Sequence, residues 1–403
     1  HYRFWFCQFG FESRYLNQRM PKEVSSIEKT GHIVWMDVVR VVALYMLVAC
    51  HCATQFSWSV DWAPNPEQLS FWGSLWGSML RPVPIFVMLT GALLLPVKTS
   101  ASAFYKKRIT RVVAPFFIWT VLYCFYPLVT KALGMEREML FSLFPYAVRD
   151  FYDTPLKTAF DSLAHIPLNF STINLHLWYV YLLVGLYLYL PVFSCWVEKA
   201  SDRQKRFFLG LWAVTLLLPY YNMFCDNYIW GSCTWNMHFH ALYYFAGWNG
   251  YLLLGHYIRN HNWQTRKVLC VCIPMLIAGY FITYLGHNWT LSIPSHSEEM
   301  YELFWTNNSL SVMMMDVSIF LICKCVVVNR ERAKRVLANS TLCCFGIYMV
   351  PFFFVGPIVT ACMEIMHIGL VIPVSAVLTL AVSWAFVAIA YRIIGPKAKW
   401  IFG

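Results

Sequence analysis

Ten apolar segments, each near the length of a membrane span, run through this sequence at roughly 35–58, 71–95, 112–133, 174–197, 207–222, 239–258, 268–286, 308–328, 340–365 and 370–394. A bilayer core about 30 Å thick is crossed by about 20 helical residues. Lipid offers no partner to backbone N–H and C=O groups, so a chain of this pattern must satisfy them within helices. Only 13% of the 403 residues are charged, against about 25% in soluble proteins, and no hydrophilic stretch is long enough to form a soluble domain. The expected fold is all-α: a polytopic transmembrane helical bundle of about ten spans over residues 35–395, with an N-terminal arm at 1–34 and a short basic cytoplasmic tail at 396–403. Pro82, Pro84, Pro115, Pro191 and Pro351 lie in or beside the spans, where proline kinks helices.

The placement of Lys and Arg sets the orientation. Lys131, Arg137, Arg149 and Lys157 stand alone on one side, and Arg40, Arg81 and Lys324 lie within spans. The rest of the 31 basic residues fall on the other side. Cytoplasmic loops carry such an excess, so both termini are expected in the cytoplasm. The arm, which starts HYRFWFCQFGF, lacks a signal peptide's cleavage pattern. It reads as an interfacial segment or as an extension upstream of a natural start at Met20. Topology accounts for the net charge of +11, and no Arg-rich, aromatic-interleaved stretch marks a nucleic-acid site. Cysteine pairs such as Cys50/Cys52 and Cys343/Cys344 sit in apolar runs. There Cys behaves as a small hydrophobe, and the polar surroundings of a metal site are missing. Cys225 and Cys233, in one outer loop, are the plausible disulfide partners, given an oxidising compartment.

The first span, WMDVVRVVALYMLVACHCATQFSW, carries three ionisable groups. Arg40 and His51 are eleven residues apart, close to three helical turns, which puts them on one face about 16 Å apart. Asp37 lies three residues before Arg40 on that face, within pairing range. Ionisable groups at such depth are costly and mark sites that face a bundle interior or a wet cavity. Arg81, in the second apolar segment, cannot shed its charge and needs an anion, a carbonyl cluster or water. Asp316, in the eighth, is an isolated intramembrane carboxylate with Arg81 as one candidate partner. The inner loop FYKKRITR gathers Lys106, Lys107, Arg108 and Arg111. It serves either as a positive-inside cluster or as a phosphate clamp, since Arg forks match phosphate oxygens. On the outer side His176, Trp178 and Tyr179 open the fourth span. The loops over 134–173, 223–238 and 287–307 are rich in aromatics, which suits an interfacial belt and also a sugar-binding surface.

In this order the residues resemble the acyltransferase-3 family, bacterial integral-membrane enzymes that O-acylate surface glycans. Arg40, ten residues, then His51 is similar to the family's first-span pattern. Pro84-Ile85-Phe86 through Thr90-Gly91 follows, where the family favours Ser-Gly. Then come Arg108 and Arg111 leading into Pro115, HLWY at 176–179, and Gly346-Ile347-Tyr348. The chain departs from the family at Pro351, where a histidine is frequent, and near Arg392, where an acidic residue is common.

The resemblance implies a short acyl group, acetyl being the expected one, moved from cytoplasmic acyl-CoA to a hydroxyl of a cell-surface or envelope glycan or lipid-linked sugar. It places the chain in the bacterial cytoplasmic (inner) membrane, with acyl-CoA as donor substrate and no permanently bound cofactor or metal. It implies His51 as general base, Arg40 or Arg81 on the oxyanion with Asp37 in support, and Arg108, Arg111, Lys106 and Lys107 on the CoA phosphates. His176, Trp178 and Tyr179 fall on the acceptor side. With no hydrolase-like domain beside the spans, this chain is expected to complete the transfer or to hand over to a partner. A transporter or flippase for an envelope glycan, with His51 and Asp316 as a proton relay, is the alternative. The sequence shows no internal repeat of the kind many transporters carry.

Overall fold

The computed structural model describes residues 33–58, 65–134, 152–167, 172–225, 238–294 and 298–403, and regular structure among them is helical. The main helices in chain order are α1 (Val34–Trp58), α2 (Pro66–Gly77), α3 (Val83–Leu94), α4 (Ala101–Ala132), α5 (Trp178–Lys199) and α6 (Asp202–Thr215). They continue with α7 (Trp248–Asn260), α8 (Thr265–Leu291), α9 (Leu310–Lys324), α10 (Glu331–Met349), α11 (Phe352–Ile365) and α12 (Ile368–Ile394). Five helices are long and apolar enough to cross a membrane, or six when the bent pair α10–α11 is taken as one span.

The lower number has a local cause. The apolar segment at 71–95 is two helices, α2 and α3, joined by an irregular turn over 78–82. Pro82 and Pro84 stand at the start of α3, where a missing N–H costs nothing but a helix cannot run through from the preceding side. The segment at 207–222 divides in the same way, with Pro219 opening a short helix, Leu218–Phe224. At 340–365 the chain turns by 88° between α10 and α11, with Pro351 capping the second helix. The residues FYKKRITR, expected as a loop, instead form the first turns of α4. The hydroxyl of Ser100 accepts from the Ala103 N–H, and nothing in 101–114 interrupts the helix, so its period decides which basic side chain faces where.

At the centre stands α1, which packs against α2, α3, α9, α10, α11 and α12. Of its apolar window 67% is buried, against 22% for α8, so α1 is core and α8 is rim. The expected tail does not hang free: residues 395–402 fold into two short turns, and Phe402 is buried against Trp119 and Tyr391. Cys233 and residues 1–32 lie outside the described residues, as do 135–151, 168–171 and 226–237 of the outer loops.

Helices α3 and α7 cross at backbone contact. A Cβ at Gly91 would lie 1.9 Å from the Leu252 carbonyl oxygen, and one at Gly255 would lie 1.9 Å from that of Met88. Small residues permit such crossings in apolar surroundings. Gly255→Ala should therefore destabilise the protein by about 1–3 kcal/mol or more, read as a lower thermal-unfolding midpoint in detergent. Gly185→Ala, whose Cβ would meet nothing within 4 Å, should leave the midpoint equal or higher. An unchanged midpoint for Gly255→Ala would remove the close crossing.

Candidate active site

A single face of α1 borders an internal cavity of ≈ 700 Å³. Arg40, Leu44, Leu47, His51 and Thr54 line it, at the three-to-four-residue spacing of one helical stripe. From Arg40 to Ser57, both on the wall, the helix advances roughly 25 Å at 1.5 Å per residue, so the cavity follows α1 for most of its length. The volume falls within the range of about 300–1,000 Å³ typical of small-molecule sites.

The two ends differ in chemistry. One is basic: Arg40, Arg108 and Arg111 line it together with Thr341. Arg108 and Arg111 stand three apart on α4 and so share a face. Lys106 is exposed, and neither it nor Lys107 is on the cavity wall, so the four-residue cluster expected from the sequence divides two and two. Arg40 is bound tightly. Its Nη1 donates to Asp37 Oδ1 at 2.6 Å, and the Thr341 hydroxyl donates to the same oxygen at 2.7 Å. Asp37 is 1% exposed and Arg40 7%, so the expected pair is real and a third group from α10 completes it. The other end carries Thr54, Gln55, Thr306 and Asn307 with the aromatic rings of Tyr301 and Trp305, and its charges are of both signs, Arg81 and Glu302. Burial pushes the Tyr301 phenol above its ordinary value, with Arg81 drawing it back.

His51 sits between these ends. Its ring meets Phe352 edge-on at 4.5 Å and lies 6.5 Å from the His176 ring. His176 stacks on Phe352 at 3.9 Å and 17° and touches Tyr123 at 4.8 Å. Both of its ring nitrogens are buried without a hydrogen-bond partner, and its carbonyl accepts from the Tyr348 hydroxyl at 2.6 Å. Phe352 reaches this place because the chain turns at Pro351. The Tyr123 hydroxyl donates at 2.7 Å to the Met349 carbonyl at that bend, satisfying a group that the interrupted helix leaves open. Position 351, where the chain departs from the family pattern, is thus the elbow that seats an aromatic ring against both histidines.

Arg81 also lines the cavity, from the turn between α2 and α3. Its guanidinium carbon lies 4.3 Å from the centre of the Trp305 ring. The partnership with Asp316 considered from the sequence is not a contact pair, although Arg81 acts electrostatically on the Asp316 carboxyl. No ion pair to Arg81 is present among the described residues, and both Asp316 oxygens are buried without a hydrogen bond. Asp316 lies on α9, 1% exposed and off the cavity wall, so lining chemistry does not include it.

Arg40, His51, Arg81, Arg108, Arg111, His176, Trp178 and Tyr179, picked from sequence, therefore line one cavity. The sequence of the acyltransferase-3 family model, described as an acyltransferase domain, matches residues 33–388. The chain belongs to the acyltransferase-3 family. The match runs well into α12 and ends at residue 388, so the departure at Pro351 lies within a shared membrane acyltransferase domain and that near Arg392 just beyond it. No curated protein and no solved structure matches the chain. Sequence reading missed Thr341, Tyr348, Phe352 and Trp305. For Tyr348 the family motif was a signal; for Phe352 and Trp305, aromatics in an aromatic-rich chain, there was none.

If Asp37 holds Arg40 as described, Asp37→Ala strands a buried charge and should cost about 3–5 kcal/mol. The double substitution Asp37→Ala/Arg40→Met should recover most of that loss in thermal unfolding. Equal midpoints for the single and double variants would show the pair to be immaterial.

Proposed function

We propose that this protein transfers a short acyl group, acetyl in the simplest case, from acyl-CoA on the cytoplasmic side to a hydroxyl of an envelope glycan or lipid-linked sugar on the opposite side. The observation that carries this reading is one cavity joining a basic end, His51 and a polar, aromatic end that holds Arg81 along a single helix face. On this reading the Arg108 end and both termini face the cytoplasm, the side on which the Lys/Arg excess falls, and the membrane is the inner membrane of a bacterium, as suits the family.

Arg108 and Arg111 then meet the CoA phosphates, for which paired guanidinium forks are suited. The pantetheine arm lies along α1 and brings the thioester to His51, about 16 Å from Arg40. The acceptor hydroxyl approaches from the Thr54 and Asn307 end, where Trp178 supplies aromatic surface and His176 flanks His51, while Tyr179 packs on Phe86 and Tyr348 deeper in the cavity. As its oxygen attacks the thioester carbon, its proton passes to the His51 imidazole. The tetrahedral oxyanion collapses, the C–S bond breaks, and the departing thiolate takes the proton back from His51. General-base assistance of this kind contributes about 10²–10⁴-fold.

Of the two candidate arginines, Arg81 is the one fitted to the oxyanion. Arg40 is already neutralised by Asp37 at 2.6 Å, whereas Arg81 faces the cavity from an aromatic support and carries no carboxylate. Preorganised donors aimed at a developing charge typically contribute a factor of 10²–10³.

Membranes containing the protein should release free CoA thiol from acetyl-CoA, and His51→Ala should lower that release by about 10²-fold or more while folding normally. Surface polysaccharide from cells carrying the variant should lose its acyl groups in parallel. Arg108→Ala and Arg111→Ala should raise KM for acetyl-CoA with a much smaller change in kcat. A folded His51→Ala protein with unaltered turnover would sink the assignment.

A further inference from the structure

Arg81 is mounted in an unusual way. A cation that must receive a transient oxyanion meets two opposed demands: it has to be held in one orientation, yet a carboxylate that held it would also cancel its charge. Arg40 illustrates the second outcome. Arg81 rests instead on the Trp305 ring at 4.3 Å, and the same indole carries the His287 imidazole, stacked at 3.5 Å and 19°. Tyr301 closes the group edge-on, 5.0 Å from His287 and 5.6 Å from Trp305. The cation–π attraction acts on the guanidinium without neutralising it, and a planar guanidinium lies flat on an aromatic face with its donors pointing outward along its rim.

Three separate parts of the chain build this stack. Arg81 comes from the turn before α3, Trp305 from the segment before α9, and His287 from the last turns of α8. His287 is 2% exposed on a helix otherwise mostly turned outward. Its buried neighbours on that helix, Gly279, Thr283 and Thr290, recur at three to four residues and form the stripe that faces α9. An imidazole and an indole at an ordinary lipid-facing rim would need no such arrangement. Here the imidazole stands behind an indole and a guanidinium that both line the cavity.

We propose that Trp305 and His287 are positioning residues: the stacked indole and imidazole hold the Arg81 guanidinium at the cavity wall, fully charged and with its fork free for the oxyanion of acyl transfer. The inference rests on the acyl-transfer reading above. It adds that catalysis depends on a ring behind the arginine, and that Trp305 acts only through Arg81.

A double-mutant cycle on the full chain tests this, with native membranes, acetyl-CoA as donor and free CoA thiol as readout. Trp305→Leu should lower kcat at least 10-fold with KM for acetyl-CoA changed less than twofold, whereas Trp305→Phe, which keeps a π face, should lose less than Trp305→Leu. His287→Ala should weaken turnover and His287→Phe should restore part of it. In an Arg81→Gln background, Trp305→Leu should have no further effect beyond twofold. A full Trp305→Leu loss in that background would show a general structural role and overturn the proposal, as would wild-type turnover by Trp305→Leu. Should Trp305→Leu not fold, Trp305→Phe and His287→Ala carry the same cycle. If wild-type membranes release no more thiol than His51→Ala membranes, the acyl-transfer reading fails on its own. The stack is then judged by thermal-unfolding midpoints of the same cycle: non-additive losses for Arg81→Gln and Trp305→Leu sustain it, and additive losses overturn it.

Discussion

A guanidinium carried into an apolar bundle keeps its charge, so the fold has to supply each buried cation with a partner. Arg40 takes a carboxylate and a hydroxyl, Asp37 and Thr341. Arg259 reaches the carbonyl of Ala92 at the end of α3. Lys324 does the same for α7, donating to the carbonyls of Ile258 and His261. The last carbonyls of a helix lack intrahelical partners and carry its negative dipole end, so these two cations also tie α3, α7 and α9 together. Arg81, half-buried, rests instead on an aromatic face. The first three solutions spend the charge on the fold, and the fourth leaves it available to chemistry.

The second organising feature is where helices stop. Irregular backbone is tolerated at membrane depth where protein covers it or where it borders a cavity, and both principal breaks here adjoin the cavity. The turn over 78–82 presents Arg81, and the bend at Pro351 presents Phe352. Side chains that a continuous helix would carry past the site are instead brought to the level of His51. The tyrosine hydroxyl of residue 123 and that of residue 348 bind carbonyls beside this bend, so the aromatic surroundings of His51 are also what hold the bend in place. Packing and site geometry here depend on the same groups.

Much of the site was legible along the chain because helical periodicity is local. Arg40 and His51, eleven apart, had to share a face, and Asp37 had to fall beside Arg40. The division of FYKKRITR was not legible, since treating it as a loop discarded the period that turns Arg108 and Arg111 inward and Lys106 outward. The continuity of two apolar runs was not legible either, because proline divides them into shorter helices, at Pro82 and at Pro219. The ring beneath Arg81 went unforeseen for a different reason. Opposite charge made Asp316 the natural candidate, whereas Trp305 is one aromatic among many and carries no signature of its own.

The sequence by itself determined an all-helical membrane chain, the stripe on α1 that pairs Arg40 with His51, and membership of an acyltransferase family, because apolar run length, helical period and motif order are all properties of neighbouring residues. Only the tertiary structure, through the packing of distant helices, completed the Asp37–Arg40 pair with Thr341 and set Arg81 on a ring. Only it brought Phe352 and His176 to His51, and the indole and imidazole to Arg81. Those contacts join residues up to 304 positions apart, as Asp37 and Thr341 are, and they depend on how helices cross and where they bend, which no periodicity along one helix records.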